Sequence, residues 1–182
     1  MAQRKARPMN LVLDLAKKKA REARFFHGHL VKVDQPTTHN EPDAFDFFLS
    51  AFLSAGESVG FLLHARRVYQ DWYDGLAGFE KVVVDLMASE RGEAVHNTGT
   101  TQRPGFDLIP MRKLPVARAR YMVFAPGDVQ EDGIIVTRHY YRIDGIDHLA
   151  TDVGAQYLQS LQRLIVAAEK ALDEANGGTG RT

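Results

Sequence analysis

The run Asp43-Ala44-Phe45-Asp46-Phe47-Phe48-Leu49-Ser50-Ala51-Phe52-Leu53-Ser54-Ala55-Gly56-Glu57-Ser58-Val59-Gly60-Phe61-Leu62-Leu63-His64 decides the fold. Its apolar residues cover more than one face of a helix, which suits the middle of a bundle rather than its rim. Ser50, Ala51, Ser54, Ala55, Gly56 and Gly60 are small enough to let neighbouring elements approach closely. Just upstream, Asn40-Glu41-Pro42-Asp43 reads as the helix start. Proline is tolerated in a first turn, and an aspartate there meets the positive end of the helix dipole. The spacing predicts that this second helix runs to about Arg67.

Working outward, Asn10 to about Val33 reads as a first helix, with Leu11, Leu15, Ala16, Ala23, Phe26 and Leu30 at near-helical spacing. Lys17, Lys18, Arg21 and Arg24 fill the opposite side and are read as a solvated face. Asp34-Gln35-Pro36 ends it, because a proline disfavours helix at the residue before it. On the other flank, Asp71-Trp72-Tyr73 is a short helical or turn segment. A third helix starts at Gly78 with Phe79, Val82, Val83, Leu86 and Met87 at core spacing, and ends near Arg91–His96 before the stop Asn97-Thr98-Gly99.

Past Thr100 the pattern shifts. Prolines 104, 110 and 115 punctuate short extended pieces, and Arg118–Ala125 and Gly133–Ile143 alternate with β-branched and aromatic residues. These predict a β-hairpin over about 116–143, with Ile135, Thr137, His139 and Tyr141 on one face of its second strand. Thr151-Asp152 caps a final helix with Val153, Tyr157, Leu161, Leu164, Ile165 and Ala168 on its buried stripe. The expected fold is therefore mostly α: an antiparallel helical bundle with an inserted β-hairpin before the C-terminal helix. One domain covers 1–175, and 176–182 forms a tail.

Hydrophobic residues make up 45% and charged residues 25% of the 182, which are the proportions of a chain that folds rather than one that stays disordered. The absence of cysteine removes disulfides, thiolate metal sites and thiol nucleophiles from consideration. With 23 basic and 23 acidic side chains the formal net charge is zero, which argues against indiscriminate charge-driven nucleic-acid binding but leaves room for a local basic cleft. No apolar stretch reads as a signal peptide or a span, so the expected location is the cytoplasm, away from membranes.

Chemistry is suggested in one place, Glu90-Arg91-Gly92-Glu93-Ala94-Val95-His96. Arginine is a permanent cation that grips phosphate oxygens with a planar fork. Histidine titrates near neutrality and can move a proton. Phosphodiester cleavage by a ribose 2′-hydroxyl needs both. On one unbroken helix, positions five apart project about 140° from each other, so convergence needs a loosened turn at Gly92 or two copies of the pair across a dyad.

The stretch from about Asp43 to Gly99 resembles the HEPN family, helical domains that carry an arginine, four to six intervening residues and a histidine. Arg91 and His96 fit that spacing. Phe47 to Ala55, Ser58-Val59 and Phe61-Leu62-Leu63 resemble the second helix of small bacterial HEPN-like proteins, and Trp72-Tyr73 with Phe79 to Met87 continue the similarity. The resemblance implies a metal-independent endoribonuclease without cofactor, acting as a homodimer on RNA, often as a toxin or defence component with an antitoxin partner. Arg91 would bind phosphate and His96 would act as general base or acid. Gly92 stands where many active members carry a polar residue. Thr98 stands where a subset carries a tyrosine that a partner nucleotidyltransferase modifies. The alternatives are a non-catalytic nucleic-acid- or nucleotide-binding regulator of the same fold, and a structural partner protein.

His64, Arg66 and Arg67, at the end of the second helix, are candidate substrate-binding residues that could line a phosphate cleft. His27, His29 and His39 show no evident partner. His139 reads as a partly buried packing residue, and His148 with Asp144 and Asp147 does not make a convincing metal set. Arg118, Arg120, Arg138 and Arg142, with Tyr140, could track phosphates along the hairpin.

Overall fold

The computed structural model describes residues 8–34, 43–64, 66–96, 103–110, 129–130 and 133–177, with 92–96, 103–110, 129–130, 133–137 and 177 described as backbone. Within them lie five helices: α1 (Met9–Val33), α2 (Ala44–His64), α3 (Arg67–Asp74), α4 (Gly78–His96) and α5 (Ala150–Gly177). Between α4 and α5 come four strands: β1 (Arg103–Pro110), β2 (Val129–Gln130), β3 (Gly133–Ile143) and β4 (Ile146–Leu149). The chain is mostly helical, with a small antiparallel sheet before the last helix.

Helix α1 packs on α2 and α5, while α4 closes the other side against the same two helices. Their apolar stripes meet in one core, whose fully buried members include Leu30, Phe52, Leu63, Met87, Leu161 and Leu164. Phe52 sits where three helices meet: its ring lies 5.6 Å from that of His27 on α1 and 6.0 Å, edge on, from that of Tyr157 on α5. His27 Nε2 is 2.7 Å from the Thr151 carbonyl oxygen. A carbonyl can only accept, so Nε2 carries the proton and ties α1 to the first turn of α5. Across the bundle, Ser160 Oγ donates to Glu80 Oε1 at 2.7 Å, and Arg163 pairs with the same carboxylate.

The expected second strand is present as β3, and it pairs antiparallel with β2 inside the expected hairpin window; what the sequence did not announce is its further neighbour, β1. The long strand β3 pairs antiparallel with Arg103–Pro110, from Arg103↔Tyr140 to Pro110↔Gly133, and on its other side with β2 and β4. The segment Arg118–Ala125 lies outside the described residues. Prolines are compatible with β1 because, among the described residues, it is an edge strand: a residue without an N–H is tolerated where that position faces no neighbour. A second, unexpected hairpin joins β3 to β4 through Asp144-Gly145. Both residues have positive φ, 51° and 80°, which is the backbone that Asp-Gly favours in a two-residue hairpin turn.

Helix boundaries shift in three places. The second helix is described from Ala44 and stops at His64; its expected start at Asn40–Pro42 is outside the described residues. Arg67 opens α3 instead of closing α2, and Asp71-Trp72-Tyr73 belongs to that helix. The last helix begins at Ala150, so Thr151 and Asp152 sit in its first turn rather than ahead of it, and it continues through Gly177 into the expected tail. Four residues expected in the core, Leu11, Phe61, Phe79 and Val82, are exposed.

The sheet is fastened to the bundle through β3. Tyr141 and Ile143 are buried in the core. Asp34, the residue that ends α1, is buried, and its Oδ1 accepts from the backbone N–H of His139 and from His139 Nδ1, each at 3.1 Å. The His139 ring stacks on Phe45, with centroids 3.6 Å apart. This bears out the reading of His139 as a partly buried packing residue and adds a hydrogen-bonded clasp to it.

Candidate functional site

Helix α4 is continuous to His96, so Gly92 does not break it. Arg91 lies in its penultimate turn, and its Nε stands 2.6 Å from Oε2 of Glu57 on α2. The N–H does not point along that contact, so this is an ion pair without an aligned hydrogen bond. Both side chains are 37% exposed. A pair this accessible is worth at most about 1 kcal/mol after solvent screening. The His96 side chain lies outside the described residues, so the structure places Arg91 and leaves its expected partner unplaced.

Glu57 is the only charged residue between Asp46 and His64. That isolation in an apolar helix is the signal that could have singled it out. The Tyr157 ring lies against Gly56, within 2.5 Å of where a β-carbon would stand there, and the Tyr69 ring lies against Gly60 at 3.5 Å. Burial pushes the Tyr157 hydroxyl well above the usual tyrosine range, with Glu57 and Tyr69 adding to it. Tyr69 is shifted the same way by burial, Asp85 and Glu57. Tyr141 in the core is raised by burial first and then by Glu90 and Asp46.

These shifts make a prediction at alkaline pH. A tyrosine whose pKa is higher folded than unfolded holds back ionisation in the native state. Its stabilising effect is complete below the unfolded value of about 10 and declines as pH rises above it. Stability should therefore fall steeply above about pH 10, and Tyr157→Phe should flatten that fall. Urea midpoints measured from pH 8 to 11 check it; parallel curves for variant and parent would refute it.

The other predicted substrate residues lie at the α2–α3 junction. His64 is exposed and its ring lies 5.0 Å from that of Tyr69. Arg66 precedes α3, and Arg67 makes a loose 3.6 Å pair with Asp71 on the same helix. This group is seven residues along α2 from Glu57, about 10 Å at helical rise, so it neighbours Arg91 without converging on it. The basic face of α1 is partly neutralised, because Lys17 pairs with Glu169 and Lys19 with Glu22, each at 2.7 Å. Arg118 and Arg120 lie outside the described residues. Arg142 is exposed and pairs with Asp147 across the β3–β4 hairpin at 3.6 Å.

Shallow pockets flank the start of α5. One is lined by His27, Asp34, Arg138, Thr151 and Asp152, the next by Phe79, Tyr140, His148 and Gln156. Neither includes Arg91, and their mixed charges single out no ligand. Among the described residues no group of three His, Asp or Glu side chains is arranged to hold a metal. On length and composition, α2 is the one helix among the described residues that could cross a membrane. No family model matches the chain, and no curated protein or solved structure matches it.

Proposed function

We propose that this chain is a metal-independent, dimeric endoribonuclease of the HEPN type, in which Arg91 holds the scissile phosphate and His96 moves the proton. The observation that carries the reading is the half-exposed side chain of Arg91, five residues from His96 on an unbroken helix and, among the described residues, paired with an accessible carboxylate. A pair worth about 1 kcal/mol or less can be exchanged for a phosphate at small cost. Glu57 contacts the stem-side Nε, and the two terminal nitrogens are the ones that suit a forked grip on phosphate oxygens.

In the proposed reaction the 2′-hydroxyl loses its proton to a histidine, and its oxygen forms a bond to phosphorus. The bond to the 5′-oxygen breaks, and that oxygen takes up a proton. A 2′,3′-cyclic phosphate and a 5′-hydroxyl result. Arg91 stabilises the charge that gathers on the non-bridging oxygens. Because Arg91 and His96 leave one helix about 140° apart, one copy supplies the cation and its twin the proton-transfer group, or both copies supply both across a common groove. Such an activity in the cytoplasm suits a toxin or defence component held in check by an antitoxin.

The ion pair to Glu57 favours a second reading, a non-catalytic regulator that binds nucleic acid or nucleotides, because it lowers the positive charge available at Arg91. Purified protein incubated with labelled single-stranded RNA in EDTA separates the two. Expected are cleavage to cyclic-phosphate ends and a loss of roughly 100-fold or more in rate for both Arg91→Ala and His96→Ala, with unfolding temperatures unchanged. No cleavage by the folded parent protein, or cleavage by both variants at the parent's rate, sinks the nuclease.

A further inference from the structure

Helix α2 presents a side that no other described element covers. Phe47 and Phe61 are 63% and 81% exposed, and Ser50, Ser54 and Ser58 lie between them, half-buried. All five project within about 40° of Ser54 around the helix axis. Their order is a palindrome about Ser54: phenylalanine seven residues to either side, serine four residues to either side. A large aromatic exposed on the least polar helix calls for a partner, and a stripe that reads the same in both directions matches its own reverse.

We infer that this face pairs with α2 of a second copy, antiparallel, with the dyad passing beside Ser54. Phe47 of each copy then covers Phe61 of its twin, while the serines let the backbones close in. Charge agrees with this orientation. Asp43 and Asp46 lie at the N-terminal end of the stripe, and His64, Arg66 and Arg67 at the C-terminal end. Antiparallel pairing sets acid against base at both ends and opposes the two helix dipoles favourably; parallel pairing sets like against like.

The arrangement also bears on Arg91, and this part rests on the nuclease reading above. Glu57 lies about 60° round the helix from Ser54 and about 4.5 Å along it. A dyad perpendicular to two antiparallel helices keeps each flank on its own side. Both Glu57–Arg91 pairs therefore come to the same side, about 9 Å apart along the helix direction, with two copies of α4 walling one groove. A site that a single chain cannot assemble is completed by its twin.

The absence of cysteine makes the test direct. Helix axes 8–10 Å apart put residues at the dyad roughly 3.5–5.5 Å apart between α-carbons, which overlaps the disulfide range. Ser54→Cys should form a disulfide-linked dimer under mild oxidation at least tenfold faster than Lys18→Cys, a control on the exposed side of α1. Phe61→Asp should lower the mass measured by light scattering from twice the 20.4 kDa chain to once, with an unchanged circular dichroism spectrum. A monomeric parent at about 100 µM overturns the interface, and so does a dimer in which Ser54→Cys and Lys18→Cys cross-link equally. A cross-linked dimer that cleaves no RNA supports the interface and sinks only the enzymatic reading. A monomer that cleaves RNA overturns the interface and the two-copy site, and leaves only the cleavage chemistry standing.

Discussion

Replacing Phe52 with alanine is expected to cost about 3–5 kcal/mol, a large share of the roughly 5–15 kcal/mol that holds a domain folded. The ring is fully buried, touched by His27 from α1 and by Tyr157 from α5. Closing the cavity would require these helices to move together. They resist, because His27 is fixed to the Thr151 carbonyl and Gly154 already leaves less than 3 Å between a would-be β-carbon and the His27 ring. The transfer term and the cavity term therefore both remain. In a chain of this length the unfolding temperature should drop by roughly 6–20 °C. Urea denaturation should show a lower midpoint with an unchanged slope. A drop below about 3 °C would mean that the three helices do not meet at this ring.

Asp34→Ala should cost about 2–4 kcal/mol, although it removes only a small side chain. The carboxylate is buried and answers two donors of His139, one backbone and one ring. Without it both donors lose their partner, and each unsatisfied buried group costs about 1–3 kcal/mol. His139 retains some solvent access, 23% at its side chain, which keeps the total below the loss for a fully buried pair. Asp34→Asn retains an acceptor oxygen and should recover at least half of the difference. Thermal unfolding of the three proteins checks this. Equal midpoints for parent and alanine variant would show that the clasp carries no weight.

The helices were legible because their signal is local. α1 and α5 repeat apolar residues every three or four positions over many turns, and α2 is so apolar that only the interior suits most of it. Phe61 was misjudged for the same reason: a helix apolar on several faces does not announce which one stays open. The additional neighbour β1 is not legible in the sequence because pairing is a property of two distant segments. Arg103–Pro110 carries two prolines and reads as punctuation, yet as an edge strand it tolerates them. The Asp144-Gly145 turn was readable in principle from the dipeptide alone. At the candidate site, Arg91 was found through its spacing to His96, whereas Glu57 stands 34 positions earlier and joins it only when α2 and α4 pack. The Asp34–His139 pair spans 105 residues and has no periodicity to betray it.

That long-range clasp has a consequence for how the chain comes apart. β1 is held chiefly by its ladder to β3, and β3 reaches the helices through the segment from His139 to Ile143. The strands thus hang from the bundle at one end, as a flap hangs from a hinge. An opening fluctuation that releases Asp34 frees the ladder as a cooperative unit while the helices stay packed. Backbone amides of β1 should therefore report a lower opening free energy than those of α5, a hierarchy of local stability set by where the sheet is fastened rather than by how many bonds it contains.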